Sequence, residues 1–214
     1  MDFFKRLCKL IVGLFLYALG IMVTINANIG YSPWDVFHVG VSKATGLSLG
    51  TISISVGFII VIITSLLGEK FGIGTILNMI LIGVFIDIII KLDFLPVGKS
   101  FLQGIAMLLI GLEIIAFATY FYISPGFGAG PRDGLMVALS RKLGLSIGIC
   151  RSIIEFVAAI GGYFLGGMLG VGTVIAVLSI GFLVQNTFKI IGFDPKAIKH
   201  ESVKTTISNL TKKR

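Results

Sequence analysis

Residues 30–50 read GYSPWDVFHVGVSKATGLSLG, and residues 128–148 read GAGPRDGLMVALSRKLGLSIG. An offset of 98 positions aligns the two stretches, and the match extends without a gap from Gly30–Gly83 onto Gly128–Gly181, with 18 of 54 pairs identical. Self-similarity at a fixed offset indicates an internal repeat. The sequence therefore predicts two copies of one structural unit.

Both copies lie in strongly apolar sequence. Of the 214 residues, 56% are hydrophobic and 13% are charged, whereas a soluble globular domain carries about 25% charged residues. Runs long enough to cross about 30 Å of hydrocarbon occur at residues 8–26, 48–67, 72–91, 100–123, 147–166 and 170–190. An open chain in lipid can satisfy its backbone hydrogen bonds only as helix. The predicted fold class is an all-α polytopic membrane protein with six transmembrane helices.

Each copy also contains one short helix, predicted at residues 33–45 and 131–143. Pro33 and Pro131 suit the first helical position, and Gly46 and Gly144 suit the position after the last turn. A helix of 13 residues is about 20 Å long and cannot cross the bilayer. Two arrangements remain open: a re-entrant helix that lines a cavity, or an interfacial helix at the headgroups. The glycine-rich approach to each helix favours re-entry.

The basic residues predict the topology. The net charge is +8, and placing the N-terminus in the cytoplasm puts fourteen of the 18 Lys and Arg residues inside and only Lys43, Lys91 and Lys99 outside, with Arg151 in a span. This distribution follows the positive-inside rule and predicts that both termini are cytoplasmic. Three spans per copy then force the second copy to insert upside down, as an inverted repeat. The expected organisation is a first repeat at residues 1–98, a second at 99–190, and a basic cytoplasmic tail at 191–214, lying on anionic lipid or solvated.

Several function classes are not supported. The basic residues lie mostly at span ends, so nucleic acid is not an expected partner. Cys8 and Cys150 belong to no CxxC or Cys/His cluster, so we expect neither disulfides nor a metal, and they are interpreted as packing residues. No catalytic constellation and no cofactor motif is recognisable, because the turns at Gly72 and Gly170 lack the lysine of a phosphate-binding loop. We therefore expect a protein that is not an enzyme.

The short helices supply the candidate substrate path. Asp35, His38 and Ser42 lie on one face of the first helix, and Ser32 precedes the helix at its N-cap. The second helix keeps two of these positions and adds a cation, giving Arg132, Asp133 and Ser140. The two acids can alternatively be interpreted as helix caps. Because an acid at the third helical position offsets the field that attracts anions, the pattern favours a polar or zwitterionic solute over a bare anion.

Four further charges lie within predicted spans, namely Glu113, Arg151, Glu155 and Asp87. Charges at this depth are costly and usually face the interior with partners. They predict either a proton or ion relay through Glu113 and Glu155, or a structural network in which Arg151 pairs with one or both of these acids.

Five segments carry a family resemblance: ANIGYSPWD at residues 27–35, TGLSLG at 45–50, GIGT at 72–75, GFGAGPRDG at 126–134 and GLSIG at 144–148. They resemble the YczE/YyaS/YitT family of small bacterial integral membrane proteins, from the first span to about residue 185. The short basic tail is more similar to the YczE-like branch than to members with an added C-terminal soluble domain. The resemblance implies a protein of the bacterial cytoplasmic membrane, with transport as the function usually suggested, and carries over no catalytic residue.

The predicted function is a small secondary transporter or permease for an unidentified small polar solute, with its site between the repeats. One alternative is a membrane accessory protein that regulates or scaffolds a partner enzyme. A passive channel is the third. The expected surroundings are the lipid bilayer, and the small size is compatible with a homodimer.

Overall fold

A computed structural model describes residues 3–198, 200–203, 205–206 and 208. Within these residues the chain forms α-helices and one short 3-10 turn at Pro195–Ala197. The helices are α1 (Phe3–Asn26), α2 (Pro33–Thr45), α3 (Leu49–Leu66), α4 (Ile73–Leu92), α5 (Phe101–Ile123), α6 (Pro131–Leu143), α7 (Ile147–Phe164) and α8 (Val171–Ile191). All except α2 and α6 are long and apolar enough to cross a membrane. The predicted all-helical fold with six membrane spans is confirmed.

The helix boundaries repeat at the offset that the sequence shows. The four helices of the first half start at residues 3, 33, 49 and 73, and those of the second half start at residues 101, 131, 147 and 171, each 98 residues later. The local signals recur as well. Gly46 and Gly144 follow α2 and α6 with φ of 74° and 69°, and the hydroxyls of Ser48 and Ser146 accept from N–H groups in the first turns of α3 and α7.

The middle of the molecule is the packed pair α1 and α5, flanked by α4 on one side and α8 on the other. Small residues let these two helices approach closely: a Cβ on Gly20 would overlap the carbonyl of Gly111, and one on Gly13 would overlap the backbone at Tyr122. The short helices cross between the halves. The helix α2 packs on α7 of the other half, and α6 packs on α3.

Two reciprocal loop contacts tie the halves together. The N–H of Gly74, in the first turn of α4, donates to the carbonyl of Phe127, and the N–H of Gly172, in the first turn of α8, donates to the carbonyl of Ile29, both at 2.8 Å. Gly128 and Gly30, which follow the two acceptors, have φ of 116° and 118°, a backbone conformation that favours glycine. The glycine-rich turns thus serve close backbone packing.

The two halves differ in one helix pair. In the first half α3 packs along α4, and a Cβ on Gly50 would overlap the carbonyl oxygen of Gly83. The equivalent helices α7 and α8 make at most peripheral contact with each other. At their equivalent glycines, Gly148 and Gly181, an added Cβ would meet no atom of another described element within 4 Å. The helices α7 and α8 of the second half are therefore apart at the position where α3 and α4 of the first half are in contact.

The described part of the tail packs against the end of the helix bundle. The Glu201 carboxylate pairs with Arg6 of α1 at 2.8 Å, and its N–H donates to the carbonyl of Gly126. The N–H of Val203 donates to the carbonyl of Phe71, and Thr206 is buried. Backbone groups of two loops hold these residues, so the fully solvated alternative is not met there, whereas contact with anionic lipid stays a prediction.

Candidate functional site

The N-termini of the two short helices meet inside the bundle. The guanidinium carbon of Arg132 lies 4.7 Å from the centre of the Trp34 ring. The Nη2 group of Arg132 lies 3.4 Å from Nδ1 of His38. Since a guanidinium can only donate, Nδ1 is the acceptor and the His38 proton is assigned to Nε2. Trp34 and Arg132 each directly follow the proline that begins their helix, and His38 lies one turn after Trp34.

Two tyrosines from the central helices close the junction on its other side. The Tyr122 hydroxyl of α5 donates to the Asp133 carboxylate at 2.8 Å. The Tyr17 ring of α1 meets the Tyr122 ring edge to face, with centroids 5.9 Å apart. Asp133 itself is exposed to the space between the helices, so its other oxygen lone pairs are open to a ligand.

Two cavities adjoin this junction, and Tyr17, Tyr122, Arg132 and Asp133 line both. The larger has a volume of about 370 Å³ and extends between α7 and α8. The smaller, about 80 Å³, lies between α3 and α4. The difference in size follows from the packing, since α3 and α4 are in contact and α7 and α8 are apart.

The larger cavity carries a second pair of charges from α7. The Nε group of Arg151 donates to the Glu155 carboxylate at 2.8 Å, one helical turn away. This pair is internally neutralised. Arg132 and Asp133 differ from it, because neither takes part in an ion pair within the described residues.

Two buried N–H groups beside Arg132 also lack an acceptor in the part of the chain that the structure describes. They are Nε1 of Trp34 and Nε2 of His38, on side chains that are 9% and 3% exposed. An unmade hydrogen bond on a buried donor costs about 1–3 kcal/mol. Within the described residues, the junction therefore holds two buried donors without acceptors beside the carboxylates of Asp35 and Asp133.

The structure separates the predicted path residues into two groups. Ser32, Asp35, His38, Arg132 and Asp133 are at the junction, where the Ser32 hydroxyl donates to the buried Asp35 carboxylate. Ser42 and Ser140 are not: each donates to the carbonyl five residues later, at Leu47 and Leu145. They close the C-terminal ends of α2 and α6, a matched structural role in the two copies.

The predicted buried charges do not form one network. The Arg151–Glu155 pair faces the larger cavity. Asp87 accepts from the Ser48 hydroxyl at 2.6 Å and from the Gly50 N–H at 2.8 Å, and so caps the start of α3. Glu113 accepts from the Thr187 hydroxyl at 3.4 Å, between α5 and α8. Of the proposed relay acids, only Glu155 therefore lines a cavity at the site.

Sequence reasoning missed several cavity residues: Tyr17, Trp34, Asn78, Tyr122 and Gln185. A polar-tipped aromatic or an amide inside a span is a weak signal, because such residues also occur at membrane interfaces. The described residues contain no group of three or more His, Cys, Asp or Glu side chains able to hold a metal ion. The chemistry that these groups offer is recognition of charge.

Comparison with known proteins shows the family of the chain. The matching family model, described as "Family of unknown function (DUF6198)", covers residues 4–189. The chain belongs to this family. No solved structure matches it.

Three relatives of the DUF6198 chain are similar over most of its length. The "Uncharacterized membrane protein YczE" of Bacillus subtilis (strain 168) is 35% identical over 81% of this chain and 80% of its own length. An "Uncharacterized protein" of Haemophilus influenzae is 32% identical over 88% of this chain and 85% of its own length. The "Uncharacterized protein YyaS" of B. subtilis is 26% identical over 81% of this chain and 88% of its own length. The resemblance to YczE and YyaS is confirmed.

Proposed function

We propose that this protein is a secondary transporter or permease for a small polar solute, which binds at the junction of the short helices. The observation that supports it is the unequal packing of equivalent helices around one charged cavity: α3 and α4 are closed, whereas α7 and α8 are parted. A carrier needs two such states of one framework, and repeated halves can supply both by exchanging conformations.

An inverted orientation of the halves is part of the proposal. Its support is the odd number of spans in each half, the reciprocal contacts of Gly74 and Gly172, and the excess of basic residues on the side assigned to the cytoplasm. The protein then lies in the bacterial cytoplasmic membrane with both termini inside. Arg132 is counted with the inner basic residues, but its side chain lies at the junction. Arg151 lines the same cavity.

The short helices are proposed to re-enter the membrane. Their N-terminal residues meet at the cavity, as Trp34 and Arg132 do, and the two helices begin in different halves. Interfacial helices on opposite membrane surfaces would not bring these N-termini together. Re-entry also directs the free N–H groups of both helix ends toward the solute.

In this topology, the contact between Gly50 and Gly83 closes the outer side, and the gap between α7 and α8 opens the cavity to the cytoplasm. In the opposite state each half adopts the conformation that the other half has here. Gly148 and Gly181 then come into contact, and Gln185 contacts the start of α7 as Asp87 contacts the start of α3. The structure then represents the inward-open state. No catalytic step is assigned, and a solute that binds and is released is sufficient.

Paired cysteines test the exchange without knowledge of the solute. In a background lacking Cys8 and Cys150, the variant Ser48→Cys/Asp87→Cys replaces a contact of 2.6 Å. Its matched counterpart, Ser146→Cys/Gln185→Cys, lies at the equivalent positions of the parted pair. A short bifunctional thiol reagent is applied to membranes, and the protein is then cleaved between the two cysteines of the pair. A crosslink is detected when the two fragments stay together on a denaturing gel.

Both pairs are expected to crosslink, each in its own state, and each crosslink is expected to hold the protein in one state. A Ser146→Cys/Gln185→Cys pair that never reacts, while the Ser48→Cys/Asp87→Cys pair does, would rule out the alternation. Liposomes that conduct small solutes without saturation would instead support a channel. A rigid protein without flux would favour the accessory role.

A further inference from the structure

Two adjacent charges at the junction are free of ion-pair partners. Arg132 and Asp133 both line the larger cavity, and within the described residues neither makes a salt bridge. Arg151 and Glu155 in the same cavity neutralise each other at 2.8 Å. Uncompensated charges at membrane depth are costly, so an unpaired cation beside an unpaired anion needs an explanation.

The surroundings of Arg132 suit an anionic group. Its guanidinium is stacked on Trp34, which fixes its plane, and a fixed planar guanidinium suits bidentate binding of a carboxylate. The acid on the facing helix, Asp35, is buried and accepts from Ser32. Trp34, which lines the larger cavity, adds a buried N–H group without an acceptor in the described part of the chain. The carboxylate of a solute bound there would supply an acceptor for this N–H group.

The surroundings of Asp133 suit a cationic group. Among the described residues its carboxylate accepts one hydrogen bond, from the Tyr122 hydroxyl, and the side chain is exposed to the space between the helices. The Tyr17 and Tyr122 rings beside it meet edge to face and line the same cavity. A carboxylate next to aromatic rings attracts an ammonium group, both by charge and through the ring quadrupole.

Because neighbouring residues on a helix point about 100° apart, Arg132 and Asp133 form two separate subsites rather than one pair. We propose that the solute is a small zwitterion, such as an amino acid or a betaine, with its carboxylate at Arg132 and its ammonium group at Asp133 and the two tyrosines. This assignment rests on the proposed function, since it names the solute class of the same site. The cavity of about 370 Å³ is large enough for such a molecule, at the lower end of the usual range for ligand pockets, roughly 300–1,000 Å³.

A thermal-shift experiment on the full chain in detergent tests the assignment. The probes are the twenty standard L-amino acids and glycine betaine. Each stabilising probe is compared with its analogue lacking the amine and its analogue lacking the carboxylate; for L-alanine these are propionate and ethylamine. At least one zwitterion is expected to raise the melting temperature, and neither analogue is expected to do so at the same concentration.

The variants Arg132→Gln and Asp133→Asn are each expected to weaken binding of that zwitterion by at least about 10-fold, the usual effect of losing a hydrogen bond to a charged group. Lys142→Gln and Asp93→Asn remove the same charges from exposed positions and should leave binding unchanged. The melting temperature without ligand shows that each variant is folded. Arg132→Lys is the second variant if Arg132→Gln does not fold, and it should also weaken binding, since it lacks the planar fork.

The assignment is overturned if no zwitterion stabilises the protein, if an analogue with one charge stabilises it equally, or if Arg132→Gln and Asp133→Asn bind normally. These failures differ from a failure of transport. Alternation of the two cysteine pairs with no zwitterion binding would refute only the solute class, whereas a zwitterion that binds a protein fixed in one state would refute only transport.

Discussion

Asp87 shows how one side chain can serve a structural role although it resembles a functional charge. Its carboxylate accepts from Ser48 and from the N–H of Gly50 at the start of α3. A helix start has N–H groups without helical partners, and an acid that accepts from them is stabilising. Depth in a predicted span could not reveal this, because the two helices must first be packed before the acid meets the cap.

Removing this cap is expected to destabilise the protein. Asp87→Ala should lower the free energy of unfolding by about 1–3 kcal/mol, since it leaves the N–H of the buried Gly50 without its acceptor. Gln185→Ala, at the equivalent position of the parted helix pair, should change it by less than about 0.5 kcal/mol. Thermal unfolding of both variants in detergent measures the difference, and equal losses would contradict the capping role.

At the scale of helices and loops, the local sequence was a good guide. The prolines at the first helical positions and the glycines after the last turns predicted the bounds of α2 and α6 to the residue, because capping depends on a few neighbouring positions. The same patterns could not show which other helix each short helix packs on. That α2 lies on α7, and that Trp34 faces Arg132, depends on contacts between the halves.

The close contact between the loop at Gly128 and the backbone of Gly72 leads to a prediction at the scale of loops. Gly128 combines a φ of 116° with a Cβ position that would overlap the backbone of Gly72. Gly46 has a φ of 74° and open space around it. Gly128→Ala should therefore cost about 3 kcal/mol or more from strain and overlap together, and Gly46→Ala about 1 kcal/mol from strain alone.

Denaturation of both alanine variants under the same conditions measures this difference. A Gly128→Ala protein as stable as the Gly46→Ala protein would show that the two halves do not depend on this close crossing.

At the scale of the whole molecule, the unequal halves imply opposite effects of equivalent substitutions. Gly181→Leu adds a side chain where no atom of another described element lies within 4 Å of the Cβ position, whereas Gly83→Leu inserts one against the backbone of Gly50. Gly181→Leu should keep the fold and its melting temperature but prevent α7 and α8 from closing. Gly83→Leu should separate α3 from α4 or destabilise the protein.

The cysteine pairs read out this prediction. Combined with Gly181→Leu, the Ser146→Cys/Gln185→Cys pair should lose its crosslink, while the Ser48→Cys/Asp87→Cys pair should keep it. Unchanged crosslinking at residues 146 and 185 would mean that the two helices close without contact at Gly181, contrary to the proposed exchange.

The six spans, the two short helices and the repeated boundaries were all readable from sequence, because hydropathy and capping are local properties and the repeat is a property of the sequence itself. Tertiary structure alone placed Tyr17 and Tyr122 beside Asp133 and closed α3 on α4 while parting α7 from α8. It also left Arg132 without a salt bridge among the described residues. The matching glycines at positions 50, 83, 148 and 181 are compatible with either pair being closed. Which pair is in contact depends on long-range packing, whose free energy is not encoded in either repeat alone.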